Sequence, residues 1–389
     1  MTQPQSAPQT TRIIGLFPEL LGVGGVQEAG RLTAEALSGI ALRRGWSTDF
    51  LSLSDPPGAQ VLQTDQRRIS FRGFGRGKAR FVLSAMRRAR RFAHTQTIIT
   101  LAAHPNLAFP AAWMKRVAPG LKILVMSHGV EVWKPLPSLR RGALLRANLV
   151  LAPSTDTARK LTEVQGFPTD KVRVLPWSLN RAFLRLAADP AKLAVPAGFP
   201  EGRVILTVGR WAASERYKGA DELIHAVARL RTSVPGLHLV AVGGGDDLPR
   251  LRRIAADLGV VESVHFLENL SREEVAACYA RAEIFALPST GEGFGLVFLE
   301  AMAFAKPVIG AACGGTTDVV EDGINGLLVP PHDAEQLAQS LERLLRDESL
   351  RAQLGERGAE TVRQKYHFDI FQDALEQILT ICCTESGEV

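Results

Sequence analysis

The chain has 389 residues, of which 46% are hydrophobic and 22% are charged, and its formal net charge is +6 at pH 7. This length fits two domains that each bury a full core, and the composition is typical of a soluble globular protein. An integral membrane protein is excluded, because no uncharged apolar run reaches the ~18–20 residues that span a bilayer.

The N-terminus and the cysteines favour a cytoplasmic protein. Residues 1–11 are polar and rich in proline and glutamine, so they are predicted to form a disordered tail rather than a secretory signal. Cys278, Cys313, Cys382 and Cys383 lack metal-ligand spacing, and adjacent cysteines do not easily close a disulfide. We therefore expect no metal site and a reducing compartment.

The first half of the chain alternates short β-branched runs with longer helical stretches. It begins with RIIGLF at Arg12 and a helix over residues 26–44, and the later strand-like runs are STDFLSL, TIITLA, LKILVMS, NLVLAPS and VRVLPW. This alternation predicts a parallel, doubly wound sheet with helices on both faces. We assign residues 12–185 to this first Rossmann-like domain.

Basic residues are concentrated between Val61 and Ala93, where the single acid is Asp65. Such a block predicts an anionic partner such as lipid head groups, nucleic acid or a phosphorylated substrate, with a solvated basic face as the equal alternative. Its members are Arg67, Arg68, Arg72, Arg76, Lys78, Arg80, Arg87, Arg88, Arg90 and Arg91.

A second α/β unit follows a linker rich in proline and glycine at residues 186–202. Residues 203–365 repeat the alternation, from RVILTVG to KPVIGA and a helix over residues 334–346. No strand follows residue 366, so the C-terminal helix in residues 366–389 is expected to pack back on the first domain. The predicted fold is α/β, with two tandem Rossmann-like domains and a cleft between them for ligands.

The stretch GEGFG at residues 291–295 follows the strand-like EIFALPS and precedes a helix. Helix N-terminal N–H groups bind anions, and glycines let a phosphate approach the backbone closely. Glu292 and Glu300 flank this loop and could accept hydrogen bonds from hydroxyl groups on its two sides. Spacing alone slightly favours a plainer alternative, a helix cap and a solvated glutamate.

Two cations, Arg210 and Lys218, lie in the loop after RVILTVG, the first strand of the second domain. Loops after parallel strands meet at one edge of the sheet, so these side chains would lie beside residues 293–295 and neutralise the same diphosphate. The convergence of two cations and two acids predicts a site for a sugar diphosphate.

These motifs resemble the retaining nucleotide-sugar glycosyltransferases of family 4, which have the GT-B fold. The resemblance rests on GEGFGLVFLEAMAFAKPVIG, on VGR and KG around the two cations, and on GGTTDVVEDGINGLLVPPHDAEQLA. It runs from about residue 12 to residue 366. It implies a hexosyltransferase with a nucleotide-sugar donor and no cofactor, in cell-surface polysaccharide or glycolipid biosynthesis.

The resemblance implies a role for each donor-side residue. The two cations would bind the diphosphate, Glu300 the ribose and Glu292 the hydroxyls of the transferred sugar. Backbone amides at residues 294–296 would hold phosphate and sugar, and residues 243–245 would line the base. The implied donor ligands are Gly24, Gly25, Arg210, Lys218, Gly243, Glu292, Gly293, Phe294, Gly295, Leu296 and Glu300.

In the first domain, LLGVGGVQEAG resembles the family's glycine loop and would place Gly24 and Gly25 opposite the donor phosphates. The same segment half-matches a dinucleotide fingerprint, but Gln27 replaces its third glycine. In that alternative, a dinucleotide oxidoreductase, Asp55 would bind a ribose.

SHGVEVW resembles the family's His-Gly-x-Asp/Glu element, which lies near the reacting carbon and the acceptor. A histidine can bond a sugar hydroxyl or take a proton near neutral pH. The catalytic residues are thus predicted to be His128, Glu292, Arg210 and Lys218. The acceptor side is predicted to contain His104, His128 and Glu131.

Three features depart from the family's pattern without removing a charged donor ligand. PWSLN at residues 176–180 replaces Pro-Asn-Gly-Val-Asp, the gap between Arg210 and Lys218 is long, and His367 stands where an aromatic residue is common. Because these cations and helix N-terminal amides can neutralise a diphosphate, we expect transfer without a metal ion. Retention implies front-face attack, with the leaving phosphate taking the acceptor proton, so neither glutamate is a nucleophile.

Other functions stay open at this stage. They are a sugar-nucleotide epimerase or a phosphorylase on the same fold, the oxidoreductase, and a non-enzymatic polyanion-binding module that uses the basic block. FRGFGRGKARFVLSAMRRARRF predicts a basic amphipathic helix that would rest on an anionic membrane through residues 67–91. This favours a sugar, lipid-linked or polysaccharide acceptor, a peripheral location on the inner membrane face and no nucleic-acid partner.

Overall fold

The structure, a computed structural model, describes residues 11–384. They form two compact units. The first contains the chain up to Trp177 and again from Phe368, and the second runs from Ser178 to His367. The predicted disordered tail lies outside the described residues, except for Thr11, which begins the first strand.

The described part of the first unit has one sheet, built around buried β-branched strands. Its strands are β1 (Thr11–Phe17), β2 (Ser47–Ser52), β3 (Gly58–Gln63), β4 (Arg68–Gly73), β5 (Thr97–Ala102), β6 (Lys122–Met126), β7 (Leu149–Ala152) and β8 (Val172–Val174). Their order is β3-β4-β2-β1-β5-β6-β7-β8, and neighbours are parallel except for the β3–β4 hairpin. The helices are α1 (Gly25–Arg44), α2 (Lys78–Phe92), α3 (Ala108–Val117), α4 (Ser138–Leu144) and α5 (Thr155–Glu163).

The basic block is not one helix, contrary to the sequence-based expectation. Its first part forms β4, in which exposed arginines alternate with buried Ile69 and Phe71. The backbone then turns with positive φ at Gly75 (53°) and Arg76 (65°), so a helix can begin only at Lys78. Residues 71–77 are therefore not helical, while the basic residues from Lys78 onward are in α2.

The second unit has a parallel six-stranded sheet. Its strands are β9 (Arg203–Val208), β10 (Leu237–Val242), β11 (Val264–Leu267), β12 (Ile284–Leu287), β13 (Val308–Ala311) and β14 (Leu327–Val329), in the order β11-β10-β9-β12-β13-β14. Its helices are α6 (Arg181–Ala188), α7 (Ala220–Leu230), α8 (Leu248–Asp257), α9 (Arg272–Arg281), α10 (Leu296–Ala303), α11 (Thr316–Val319), α12 (Ala334–Arg346) and α13 (Glu348–Lys365). The strand order reverses between β9 and β12, which is where open α/β sheets bind ligands.

The last helix, α14 (Phe368–Thr384), packs against α1 of the first unit. Gln372 donates to the carbonyl of Ala36 at 3.1 Å, and it lies where a side chain at Gly39 would have to be. Buried Leu375 and Leu379 face the core. Apolar packing and this close approach hold the C-terminal helix in place.

The second unit begins earlier than residue 203, the predicted start. The expected boundary at residue 185 falls inside α6, whose Phe183 is buried against Tyr279 and Phe304 at ring distances of 6.1 and 5.7 Å. Asn180 caps this helix by accepting from the N–H of Phe183 at 2.8 Å. The linker rich in proline and glycine comes after α6. The domain boundary predicted from amino-acid composition therefore lies too far along the chain.

Tandem α/β domains with parallel, doubly wound sheets are thus confirmed. No helix within residues 11–384 combines the length and the apolar character needed to cross a bilayer.

Candidate functional site

The loops that follow β9 and β12 meet at the carboxyl edge of the second sheet. The N–H of Thr290 donates to the carbonyl of Tyr217 at 2.8 Å, which joins the two loops directly. Gly219 has a φ of +72°, and a Cβ there would lie 2.9 Å from Pro288. The backbone around Lys218 is therefore fixed against the loop that contains Glu292.

The GEGFG loop is supported by a third loop, which follows β13. The N–H of Gly315 donates to the carbonyl of Glu292 at 2.8 Å, and a Cβ on Gly315 would lie 2.5 Å from the carbonyl oxygen of Gly293. Gly295 precedes α10 with a φ of +98°, a conformation that favours glycine. The Phe294 side chain is buried against Tyr366, so only its backbone is available to a ligand.

Lys218 lies inside the site, whereas Arg210 lies at its surface. The Nζ of Lys218 is 3.4 Å from the point that a Cβ on Gly209 would occupy, and its side chain is 15% exposed. The Arg210 side chain is 72% exposed. Both cations pair with Glu215. This residue was not predicted from the sequence, where the long gap between Arg210 and Lys218 is the only feature that points to an additional residue.

Glu292 is half-buried, and its Oε1 has no hydrogen-bond partner among the described residues. Burial raises the pKa of this carboxyl, against the opposing charge of Lys218 and a hydrogen bond with Ser289. Burial and the charge of Glu292 raise the pKa of Tyr217 to about 12. The site thus contains a desolvated carboxylate with an unused acceptor oxygen, and the charge of Lys218 acts on it.

Glu300, in α10, accepts a hydrogen bond from the Tyr279 hydroxyl at 2.8 Å. Tyr279 is fully buried, and burial together with the Glu300 charge raises the pKa of its hydroxyl. One oxygen of Glu300 is therefore oriented by α9. Its expected bond to a ribose stays a prediction.

Residues 243–245 pack closely on the loop after β9. Gly243 has a φ of +118°, and a Cβ there would lie 2.0 Å from the carbonyl oxygen of Gly209. The N–H of Trp211 donates to the carbonyl of Gly244 at 2.9 Å. Gly243 and Gly245 must be glycines because any side chain there would collide with the backbone of the loop after β9. This requirement is independent of a role in binding a nucleotide base.

In the first unit, Gly24 and Gly25 are exposed at the start of α1. Asp55, at 2% exposure, accepts from the N–H groups of Leu20 and Leu21 at 2.7 and 3.1 Å and from the Ser52 hydroxyl at 2.5 Å. The carboxylate is used to anchor this loop. The alternative in which Asp55 binds a ribose is therefore wrong.

His128 is held in a ring stack in the first unit. Its ring stacks with His104 and Trp177 at centroid distances of 5.5 and 5.4 Å, and its backbone N–H donates to Glu131 at 2.5 Å. Its Nε2 lies 2.8 Å from the carbonyl oxygen of Ala103, which only accepts, so Nε2 carries the proton and Nδ1 can accept. Burial, with the neighbouring His128, lowers the pKa of His104 to about 4.

Comparison with known proteins identifies the family. The model described as Glycosyl transferases group 1 matches residues 193–361, and that described as Glycosyltransferase Family 4 matches residues 23–181. The chain belongs to the group 1, family 4 glycosyltransferases. The recognition made from the sequence motifs is confirmed.

Two curated relatives and one solved structure illustrate this membership. A D-inositol 3-phosphate glycosyltransferase of Acidothermus cellulolyticus is 37% identical over 57% of this chain, which spans 52% of that protein. A GDP-mannose-dependent alpha-(1-6)-phosphatidylinositol monomannoside mannosyltransferase of Mycobacterium tuberculosis is 31% identical over 68% of this chain, which spans 71% of that protein. Anabaena Alr3699/HepE, solved in complex with UDP-glucose, has a TM-score of 0.69 and 17% identity over 95% of this chain and 99% of its own, a likeness that shows the fold.

Proposed function

We propose that this glycosyltransferase moves a hexose from a nucleotide-diphosphate sugar to an acceptor hydroxyl with retention of configuration and without a metal ion or cofactor. The observation that carries the proposal is the half-buried Glu292, whose unpartnered oxygen lies at the sheet edge where Lys218 supplies a positive charge. A buried acceptor without a partner is costly in a folded protein, and a sugar hydroxyl would satisfy it.

The donor would bind at the edge where β9 and β12 end. Lys218 and Arg210 would neutralise the diphosphate, together with the N–H groups at the start of α10. Glu292 would orient the sugar, and Glu300, steadied by Tyr279, would accept from the ribose. A relative that depends on GDP-mannose and a fold neighbour solved with UDP-glucose make GDP- and UDP-sugars the first donors to test.

The chemistry would need no protein nucleophile. On front-face attack the acceptor oxygen bonds to the anomeric carbon, the bond to the leaving phosphate breaks, and that phosphate takes the acceptor proton. In the first unit, Nδ1 of His128 would accept a hydrogen bond from a substrate hydroxyl.

A ligand panel tests the donor site. We expect one class among UDP-, GDP-, ADP- and dTDP-sugars to raise the melting temperature, and Lys218→Ala to abolish that shift. Arg357→Ala, an exposed change on α13, should keep it. A shift with none of the four would contradict the proposal and favour a polyanion-binding module.

Transfer assays separate the enzymatic alternatives. Incubation with the selected donor and acceptor sugars should yield a glycoside with retained configuration by NMR, at the same rate in EDTA. Conversion of the donor sugar without an acceptor would indicate an epimerase, and activity that requires inorganic phosphate a phosphorylase.

We also propose that the acceptor is lipid-linked or otherwise located at an anionic membrane, in polysaccharide or glycolipid biosynthesis. The exposed side of α2 carries Lys78, Arg80, Arg87, Arg90 and Arg91. Next to it, α3 exposes Phe109 and Trp113, whose rings lie 5.7 Å apart. Clustered basic residues with exposed aromatic side chains are typical of surfaces that rest on anionic lipid.

Vesicle co-sedimentation tests the membrane proposal. The wild type should bind phosphatidylglycerol vesicles but not phosphatidylcholine vesicles, and the double change Arg87→Glu, Arg91→Glu should abolish binding. Arg357→Glu in the second unit is the matched charge reversal and should have no effect. Equal binding to both lipids, or to neither, would contradict this part of the proposal.

A further inference from the structure

Glu215 pairs with both of the cations that would bind the proposed diphosphate. Its carboxylate pairs with the Arg210 guanidinium through one oxygen and lies 3.5 Å from Nζ of Lys218 through the other. The Glu215 side chain is only 11% exposed. The contact with Lys218 is therefore shielded from water, and salt screens it less than an exposed ion pair.

Residues on both sides of Glu215 are held by hydrogen bonds, Ala213 through its backbone and Arg216 through its side chain. The N–H of Ala213 donates to the Asp246 carboxylate at 2.8 Å, and the Arg216 guanidinium donates to Asp247 at 3.0 Å. Glu215 lies at a kink between two 3-10 turns, with φ −121° and ψ 27°. A change of rotamer at Glu215 would break neither of these two contacts.

We propose that Glu215 acts as an internal anion, pairing with Arg210 and Lys218 until a donor diphosphate displaces it. This inference rests on the donor site proposed above. A carboxylate and a diphosphate repel each other at one cation pair, so binding requires Glu215 to move. The apparent affinity for any diphosphate is then the intrinsic affinity multiplied by the fraction of molecules in which Glu215 has left the two cations.

The consequence is weaker binding of every ligand that binds through its diphosphate. The cost of displacing Glu215 is the same for the complete donor and for the nucleoside diphosphate that remains after transfer, so both affinities fall by the same factor. Glu215 would thereby weaken product binding and favour product release.

Isothermal titration with UDP, GDP, ADP and dTDP tests the proposal on three variants. Glu215→Gln removes the charge and keeps the shape, and should tighten binding of the preferred nucleoside diphosphate on the order of three- to tenfold in 0.1 M salt. Glu215→Asp keeps the charge and should bind within about twofold of the wild type. Glu283→Gln is the matched control, because Glu283 also pairs with arginine, Arg203 at 2.7 Å, but lies at the opposite end of the sheet.

Steady-state kinetics provide the second measurement. Glu215→Gln should lower the inhibition constant of the nucleoside diphosphate and KM for the donor by a similar factor. Unchanged or weaker diphosphate binding by Glu215→Gln, with an active wild type, would overturn the inference about Glu215 alone. A wild type that neither transfers sugar nor binds any of the four diphosphates would overturn the proposed function, and this inference with it.

Discussion

Replacing Glu292 with glutamine should stabilise the unliganded protein and reduce its activity. The Glu292 carboxyl is half-buried, one of its oxygens has no partner, and burial raises its pKa. A carboxyl whose pKa is raised on folding contributes stability below its ordinary pKa and loses that stability as pH rises through the folded value. Glutamine cannot ionise, so the variant avoids this loss.

The gain follows from two opposing contributions. Burying the charged carboxylate costs about 1–3 kcal/mol more than burying the neutral amide, while the attraction to Lys218, which glutamine loses, contributes up to about 1 kcal/mol. We therefore expect a net stabilisation of about 1 kcal/mol at pH 8, which corresponds to roughly 2–4 °C in Tm for a domain of this size. Loss of a hydrogen bond to a charged group, worth about 1.5–3 kcal/mol, should lower kcat/KM on the order of ten- to a hundredfold.

Thermal unfolding of both proteins between pH 4 and pH 8 measures the effect. The difference in Tm should be near zero at pH 4 and grow with pH. Glu356→Gln, at an exposed position on α13, is the control and should change Tm by less than about 1 °C at any pH. A Tm difference that is constant with pH, or a variant less stable than wild type at pH 8, would refute this account.

Three further predictions concern the supporting structure. Gly243→Ala should lower the free energy of unfolding by about 2–4 kcal/mol, because the added Cβ would lie 2.0 Å from the carbonyl oxygen of Gly209. Chemical denaturation measures this change. Gly120→Ala, where the Cβ would meet no atom within 4 Å, is the control and should leave the free energy of unfolding unchanged. Asp55→Ala should cost about 2–4 kcal/mol and speed hydrogen exchange at the Leu20 amide, whereas unchanged exchange would contradict its anchoring role. The His104 ring should titrate by NMR near pH 4, and a midpoint near 6.5 would show that it is not desolvated.

Local pattern in the sequence determined the fold class and most of the candidate site. Alternating β-branched and helical runs predicted both parallel sheets, because buried parallel strands need apolar residues on both faces. Short motifs located the loops after β9 and β12, because glycines and charges at strand ends have a direct meaning in α/β sheets. Arg210, Lys218, Glu292 and Glu300 could thus be proposed before their neighbours were known.

Tertiary structure decided which of these groups have partners. Adjacent pairing of β9 and β12 brings the loop of Lys218 against the loop of Glu292, and Glu215 then pairs with both cations. The Asp55 carboxylate accepts a hydrogen bond from the backbone of a loop more than thirty residues earlier in the chain. The β3–β4 hairpin and the burial of Phe183 in the second unit were likewise not visible in the sequence. Periodicity reports which residues are buried, whereas the partner of a buried charge depends on chain segments brought together only by folding.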